Sequence, residues 1–299
     1  MPDDTNDCPD VFLRDLLTGR TTLVSVGRQG QADRGAHQPE ISADGRQVAF
    51  TSESTNLIAG DTNDIADVFV RDLGARRTER VSLTVNGRQS ADSSSQPAIS
   101  ADGRVVTYTK GTTKIAVRDR RANTTRVISQ GVPVYPSSDV FEAGKPSISN
   151  DGRFVVFTIV GYLPEMDPVP NVWLRDLRTD PLEHISVSHL GQPADNISGS
   201  YRTDVSADGR YVTYGSTARL TRLDHGELSD VYRLDRKTGS LDWITANQEQ
   251  MQIDNNNGSF APAISDDGRH VAFDSDAKTL LPGSGPGFDT YLWSSTHPR

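Results

Sequence analysis

Glu40 and Asp204 hold the same place in two copies of a repeated segment, and His37, Lys145 and Arg202 come two or three residues before that place in their own copies. Two carboxyl groups beside a histidine or lysine in a water-poor cavity could share general acid–base work, because neighbours and burial drive their proton affinities apart. The same residues could equally line a solvent-filled channel. A second set consists of carboxylates in loops. Asp33, Asp92, Asp139, Asp195 and Asp254 each fall eight to eleven residues before a recurring serine. Gathered at one mouth, they would focus a negative potential and draw in a cation or a cationic ligand. Taken singly, each would cap its own turn. Tyr135, Tyr201 and Phe260 belong to the same loops, and aromatic rings beside acids suit a binding surface as well as loop packing. A third set, Asp61-x-Asn63-x-x-x-Asp67, spaces oxygen ligands as in the first half of a calcium loop, without the central glycine and closing glutamate of that loop. It repeats the earlier Asp4-x-Asn6-x-x-x-Asp10. A structural Ca2+ and an ordinary sheet-edge turn are the two readings.

The elements that must position these residues are legible in the stretch 38–84. Pro39-Glu-Ile-Ser and Gln47-Val-Ala-Phe-Thr flank Ala43-Asp-Gly, and Asp67-Val-Phe-Val-Arg-Asp and Arg80-Val-Ser-Leu follow. Asp-Gly between apolar alternations signals a hairpin, because glycine takes the positive φ that the turn needs. Four such short strands are too marginal to stand alone and need neighbours. The signature Ser-x-Asp-Gly-Arg recurs from Ser42, Ser100, Ser149, Ser206 and Ser265, at spacings of 58, 49, 57 and 59 residues. A four-strand unit repeated at such a period predicts an all-β chain, a β-propeller of four-stranded blades. With period-2 alternation, the residue before the motif's Ile faces the central channel: Glu40, Ala98, Ser147, Asp204 and Ala263. The fourth copy departs most from the pattern, with Thr203 where the other four have Pro39, Pro97, Pro146 and Pro262.

Residues 1–299 read as a single propeller domain that starts within a blade. Residues 10–26 match a third and a fourth strand, and the last copy runs only through its third, Phe288-Asp-Thr-Tyr-Leu-Trp. Residues 1–26 are therefore expected to close the ring, with Thr21-Thr-Leu-Val-Ser as the fourth strand of the last blade. Five pairs of first and second strands favour five blades, with six incomplete-ended blades as the alternative. The arginines of Arg14-Asp, Arg71-Asp and Arg175-Asp are expected to pair with those aspartates and stabilise the blades.

Composition narrows the classes. Net charge is −9 and mean hydropathy −0.52, and the basic stripe of a nucleic-acid binder is missing. No apolar window is long enough to insert in a membrane. The lone Cys8 permits neither an internal disulfide nor a cysteine metal site. The N-terminal Met-Pro-Asp-Asp-Thr-Asn-Asp has no basic or apolar run. No signal peptide is read there, leaving a cytoplasmic chain or one whose leader was removed. The sequence carries no Gly-x-Ser-x-Gly, His-Glu-x-x-His, P-loop or dinucleotide fingerprint, so no organic cofactor is expected.

The run Pro39-x-Ile-Ser-x-Asp-Gly-Arg-x-Val-x-Phe followed by Asp67-Val-Phe-Val-Arg-Asp-Leu resembles the WD40-like repeat of the TolB propeller family. The resemblance covers nearly the whole chain. It implies a bacterial propeller, in a family whose repeats serve as protein-binding platforms in the cell envelope and whose relatives gate peptidases or house small-molecule enzymes. Members are typically six-bladed. The reading favoured is a monomeric platform for a protein, peptide or glycan at a loop-lined mouth, with Lys145, Tyr201 and Arg202 among its contacts. The alternative is a cofactor-independent lyase, cyclase, isomerase or hydrolase acting through Glu40, Asp204 and His37.

Overall fold

The structure is a computed structural model that describes residues 5–132, 140–161, 169–188, 191, 202–222, 228–246, 258–277, 280 and 287–295. Every regular element among them is a β-strand. The chain divides into two compact units, Met1–Gln130 and Gly131–Arg299.

The first unit opens with the hairpin β1 (Phe12–Arg14) and β2 (Thr21–Leu23), then the short pair β3 (Val26–Gly27) and β4 (Gly30–Gln31). Sheet A follows as an antiparallel meander: β5 (Ala36–Ile41), β6 (Gln47–Ser52), β7 (Asp67–Asp72) and β8 (Arg77–Arg80). Sheet B repeats it with β9 (Ser94–Ile99), β10 (Val105–Lys110), β11 (Lys114–Asp119) and β12 (Thr124–Val127). In the second unit, sheet C comprises β13 (Val140–Ala143), β14 (Ser147–Ile148), β15 (Phe154–Gly161), β16 (Val169–Asp176) and β17 (Leu182–His184), with β13 and β14 sharing the edge of β15. Sheet D is β18 (Thr203–Val205), β19 (Tyr211–Ser216), β20 (Asp230–Asp235) and β21 (Ser240–Trp243). Sheet E has three strands, β22 (Ser259–Ile264), β23 (His270–Ser275) and β24 (Asp289–Ser294).

The repeated signature is a turn motif. In every copy the serine hydroxyl donates to the aspartate Oδ1 at 2.6–2.8 Å, and the arginine N–H two residues on donates to the same oxygen at 2.9–3.0 Å. The glycine between them sits at φ of 68–73° in all five, where a side chain would be strained. Two of these glycines are fixed by packing as well. A Cβ on Gly209 would run into the Phe154 ring, and one on Gly268 into the Tyr211 ring. The turn of one sheet is thus closed down on an aromatic of the sheet before it.

The cores lie between sheets, because each sheet is apolar on both faces. Ala49, Val68, Val70 and Val81 of sheet A meet Val106, Tyr108 and Ala116 of sheet B. Val156, Val172 and Leu174 of sheet C meet Val212, Tyr214 and Tyr232 of sheet D, and Val231 and Ile244 meet Val271 and Phe273 of sheet E.

Thr21–Leu23 pairs with Phe12–Arg14, Leu23 opposite Phe12. The hairpin is local, so its loop costs little chain entropy. Val11 and Val24 then bury against Val48, Phe50 and Phe69 of sheet A. One expectation is corrected, since the arginines and aspartates of the Arg-Asp runs take other partners. Asp176, like Asp119 and Asp235 at the same place in their own sheets, is gripped at both oxygens, at 2.6–3.1 Å, by a signature arginine (Arg153, Arg104 and Arg210 respectively), and Asp72 accepts from Gln47. Arg14 and Arg71 instead donate to Thr21 and Thr78, and the Arg175 guanidinium reaches Asp180.

Candidate functional site

The first strands carry the candidate acids, and each unit presents its own. In the first unit, His37, Gln38, Pro39 and Ile41 of β5 are exposed and Glu40 is half-buried, whereas β6 is buried from Val48 to Ser52. The register of β5 against β6 skips between His37 and Glu40, with Gln38 in the left-handed region at φ 54°. Gln96 and Ala261 repeat that conformation at φ 53° and 52°. A bulge of this kind re-aims side chains at a cost of about 1–3 kcal/mol per strained residue. The Gln38 carboxamide oxygen offsets part of that cost by accepting from Thr51 Oγ1 at 3.1 Å and from the Gln96 N–H of sheet B at 2.9 Å. His37 and Glu40 therefore flank a rigid, stitched bulge.

In the second unit, Asp204 joins three sheets. Its Oδ1 accepts from Ser147 Oγ of sheet C at 2.6 Å and from the Val205 N–H, and its Oδ2 from the Ile264 N–H of sheet E at 2.9 Å. Ser147, Asp204 and the residue before Ile264 are the positions predicted to line the channel, and the structure brings the first two together. Lys145 and Arg202 meet in a short parallel bridge, which sets two cationic residues beside this junction. Both oxygens of Asp204 are committed to neighbouring sheets, which suits positioning better than proton transfer. Thr203, the off-pattern residue, is buried at 6% exposure and faces the core, not the site.

The loop carboxylates that are described are tied locally. Asp33 accepts from the Thr55 N–H and hydroxyl at 3.0 and 2.9 Å, and Asp92 lies 3.6 Å from Lys110 Nζ. Phe260 is exposed, with its ring 6.3 Å from that of Phe288. Tyr135, Asp139, Asp195, Tyr201 and Asp254 lie outside the described residues.

Asp61, Asn63 and Asp67 do converge, and Arg80 stands among them. Its Nη1 is 3.1 Å from both Asp61 Oδ1 and Asp67 Oδ2, with side-chain exposures of 7%, 4% and 0% for Arg80, Asp61 and Asp67. Ser82 Oγ donates to Asp67 and Asn63 Nδ2 to Asp67 and to the Ser90 carbonyl. The Arg80 guanidinium thus compensates both carboxylates. Burial raises the Asp61 pKa, with Asp67 adding to the rise and Arg80 opposing it. No group of three or more His, Cys, Asp or Glu side chains suited to a metal occurs among the described residues. The same slot is filled differently elsewhere. In sheet C it holds His184, stacked on Trp173 at 4.3 Å and bonded to Asn171 and Ser186, with its pKa lowered by burial.

Sequence reasoning missed one arrangement, at the signature-turn end of sheets D and E. Tyr232-Arg233-Leu234-Asp235 reverses the apolar–arginine order of Phe69-Val70-Arg71-Asp72, so Arg233 turns toward sheet E. There its guanidinium lies 4.5 Å from the Trp293 ring and 4.7 Å from that of Tyr211. The reversed dipeptide was the available signal.

No family model matches the chain, and no curated protein sequence matches it. Solved structures do. TolB from Acinetobacter baumannii aligns with a TM-score of 0.52 and 14% identity over 96% of this chain, which spans 60% of that protein. An oligogalacturonate lyase in complex with manganese aligns with a TM-score of 0.57 and 15% identity, over 96% of this chain and 70% of the lyase. The β-propeller domain of the trilobed protease from Pyrococcus furiosus, described as an open velcro topology, aligns with 0.55 and 14% over 95% and 74%. These likenesses establish the fold, a TolB-like β-propeller. No helix among the described residues is long and apolar enough to cross a membrane.

Proposed function

We propose that this chain is a binding platform that engages a protein, peptide or glycan through its first strands and the loops that lead into them. The observation that supports it best is β5. It leaves His37, Gln38, Pro39 and Ile41 in solvent, Ile41 at 47% exposure, on a backbone held rigid by the Gln38 bonds. An ordered strand with mixed polar and apolar exposure loses little entropy on docking a partner. In the second unit, Lys145 and Arg202 beside Asp204 offer charge for orienting the ligand. The commitment of Asp204 to three neighbouring donors weighs against its use as a general base. The enzymatic reading accordingly rests on His37 and Glu40. A divalent cation is an arm of the test, since one structure of this fold holds manganese.

The test is a thermal-shift screen of peptide and neutral and acidic oligosaccharide pools, with and without Ca2+ or Mn2+, followed by mass analysis of each stabilising ligand. The platform reading expects ligands recovered intact and a shift lost in His37→Ala with Glu40→Gln, or in Lys145→Ala with Arg202→Ala. A ligand converted to product by the intact protein but not by Glu40→Gln would replace this reading with the enzymatic one.

A further inference from the structure

A cleft of about 760 Å3 opens at the signature-turn end of sheets D and E, among Tyr211, Arg233, Thr238, Ser240, Asp242 and Trp293. None of Lys145, Arg202 and Asp204 lines it, so it stands apart from those residues. Its size is that of a cavity for a small organic ligand.

One wall is a column of alternating aromatic and cationic planes. The Arg210 guanidinium lies 4.7 Å from the Tyr211 ring, and Arg233 lies between that ring and Trp293. The two guanidinium groups of the column are each held by a carboxylate. Arg233, with 8% of its side chain exposed, donates twice to Asp242 Oδ2 at 2.9 and 2.5 Å and again to the Gly268 carbonyl. Arg210 forks onto Asp235 at 3.0 and 2.7 Å. Trp293 is held on one side by Arg233 and remains part-exposed.

The charges of the cleft nearly balance, with four carboxylates against three guanidinium groups, and the inner ones are already paired. Each guanidinium has a carboxylate partner, and the one carboxylate in excess, Asp208, already accepts from the Ser206 hydroxyl and the Arg210 N–H. What the cleft does offer is a part-exposed indole, the hydroxyls of Thr238 and Ser240, and carboxylate oxygens with acceptor capacity beyond the bonds they already make. A neutral ligand with an apolar C–H face and a rim of hydroxyls that both donate and accept matches that set. We propose that this cleft is a saccharide subsite, in which one neutral sugar ring packs against Trp293 and is held at its rim by Thr238 and Ser240.

The test is isothermal titration calorimetry of the full chain with cellobiose, maltose and lactose as neutral probes, digalacturonate as the acidic probe and choline as the cationic one. Saturable binding of at least one neutral disaccharide is expected. It should weaken about tenfold in Trp293→Ala, matching the upper range of a ring-packing contribution. It should weaken about fivefold in Thr238→Ala with Ser240→Ala, which leave both bonds from Arg210 to Asp235 and those from Arg233 to Asp242 in place. Circular dichroism checks that each variant is folded. No binding of any neutral probe, or tighter binding of a charged probe, overturns the proposal. Should Trp293→Ala fail to fold, unchanged affinity in the hydroxyl double variant overturns it as well. First-strand substitutions should leave this binding unaltered, so its failure is separable from failure of the platform reading.

Discussion

Replacing Arg80 by methionine is the most informative single perturbation of the fold. Methionine keeps most of the packing of the arginine stem and removes only the charge. The intact pair places one guanidinium 3.1 Å from each of two carboxylates whose side chains are 4% and 0% exposed. Without it, two buried carboxylates face each other uncompensated, a defect that costs about 3–5 kcal/mol. The defect depends on pH with a definite sign. Asp61 already has a raised pKa, from burial first and Asp67 second, with Arg80 opposing. Loss of Arg80 raises it further. A carboxyl whose folded pKa lies above its unfolded value of about 3.9 destabilises the fold at neutral pH, and the penalty is relieved as pH falls through the folded pKa. The deficit of Arg80→Met against the parent should therefore be largest at pH 7 and shrink on approach to about pH 5. Adding Asp61→Asn to Arg80→Met should recover about 1–3 kcal/mol at pH 7 by deleting one of the stranded charges. Urea unfolding at the two pH values, followed by fluorescence, measures all three proteins. A deficit below about 1 kcal/mol, or one equal at both pH values, would refute a buried ion triad at this site.

Further outcomes follow from the same geometry. Tyr108 and Tyr214 have buried hydroxyls without a hydrogen-bond partner, where sheets A, C and E carry Phe50, Phe157 and Phe273. Tyr108→Phe and Tyr214→Phe should be neutral or stabilising by about 1 kcal/mol in chemical unfolding. Gly45 and Gly209 share φ near 70°, yet a Cβ meets nothing within 4 Å at Gly45 and strikes the Phe154 ring at Gly209. Gly209→Ala should cost about 2 kcal/mol more than Gly45→Ala, and equal losses would show that the turn does not close on that ring. Arg210 holds the Asp235 pKa down to about 2, its hydrogen bond being the largest cause. That contribution is present above the unfolded carboxyl pKa of about 3.9 and lost as pH falls toward 2. Arg210→Gln should flatten the acid limb of stability between those values, measured by thermal melts. Deleting residues 1–26 should lower the melting temperature by several degrees, because Val11 and Val24 leave the sheet A core.

The fold was legible because its signature is local. Ser42, Asp44, Gly45 and Arg46 bond to one another within one turn, so the motif reports structure without knowledge of distant partners. Spacing failed where partners come from other strands. Arg71 and Asp72 are adjacent and so point to opposite faces of β7, whereas Asp119 finds Arg104 because antiparallel register sets Val105 opposite Asp119. The Asp61–Asp67 spacing could not show Arg80, which arrives along β8 to bridge the two carboxylates. Among the site residues, alternation put Ser147 and Asp204 at equivalent positions of two copies, while the bonds of Asp204 to Ser147 Oγ and the Ile264 N–H needed the neighbouring sheets. Thr203 shows the opposite limit, since a departure from the repeat marked a buried position.

Hydrogen–deuterium exchange of the full chain, with and without a ligand that stabilises it in the thermal screen, tests the platform account most directly. The account predicts new protection in β5, around His37 to Ile41, or in the segments carrying Lys145, Arg202 and Asp204. Protection confined to the outer strands β8, β12, β17 and β21, with the first strands unchanged, would contradict it.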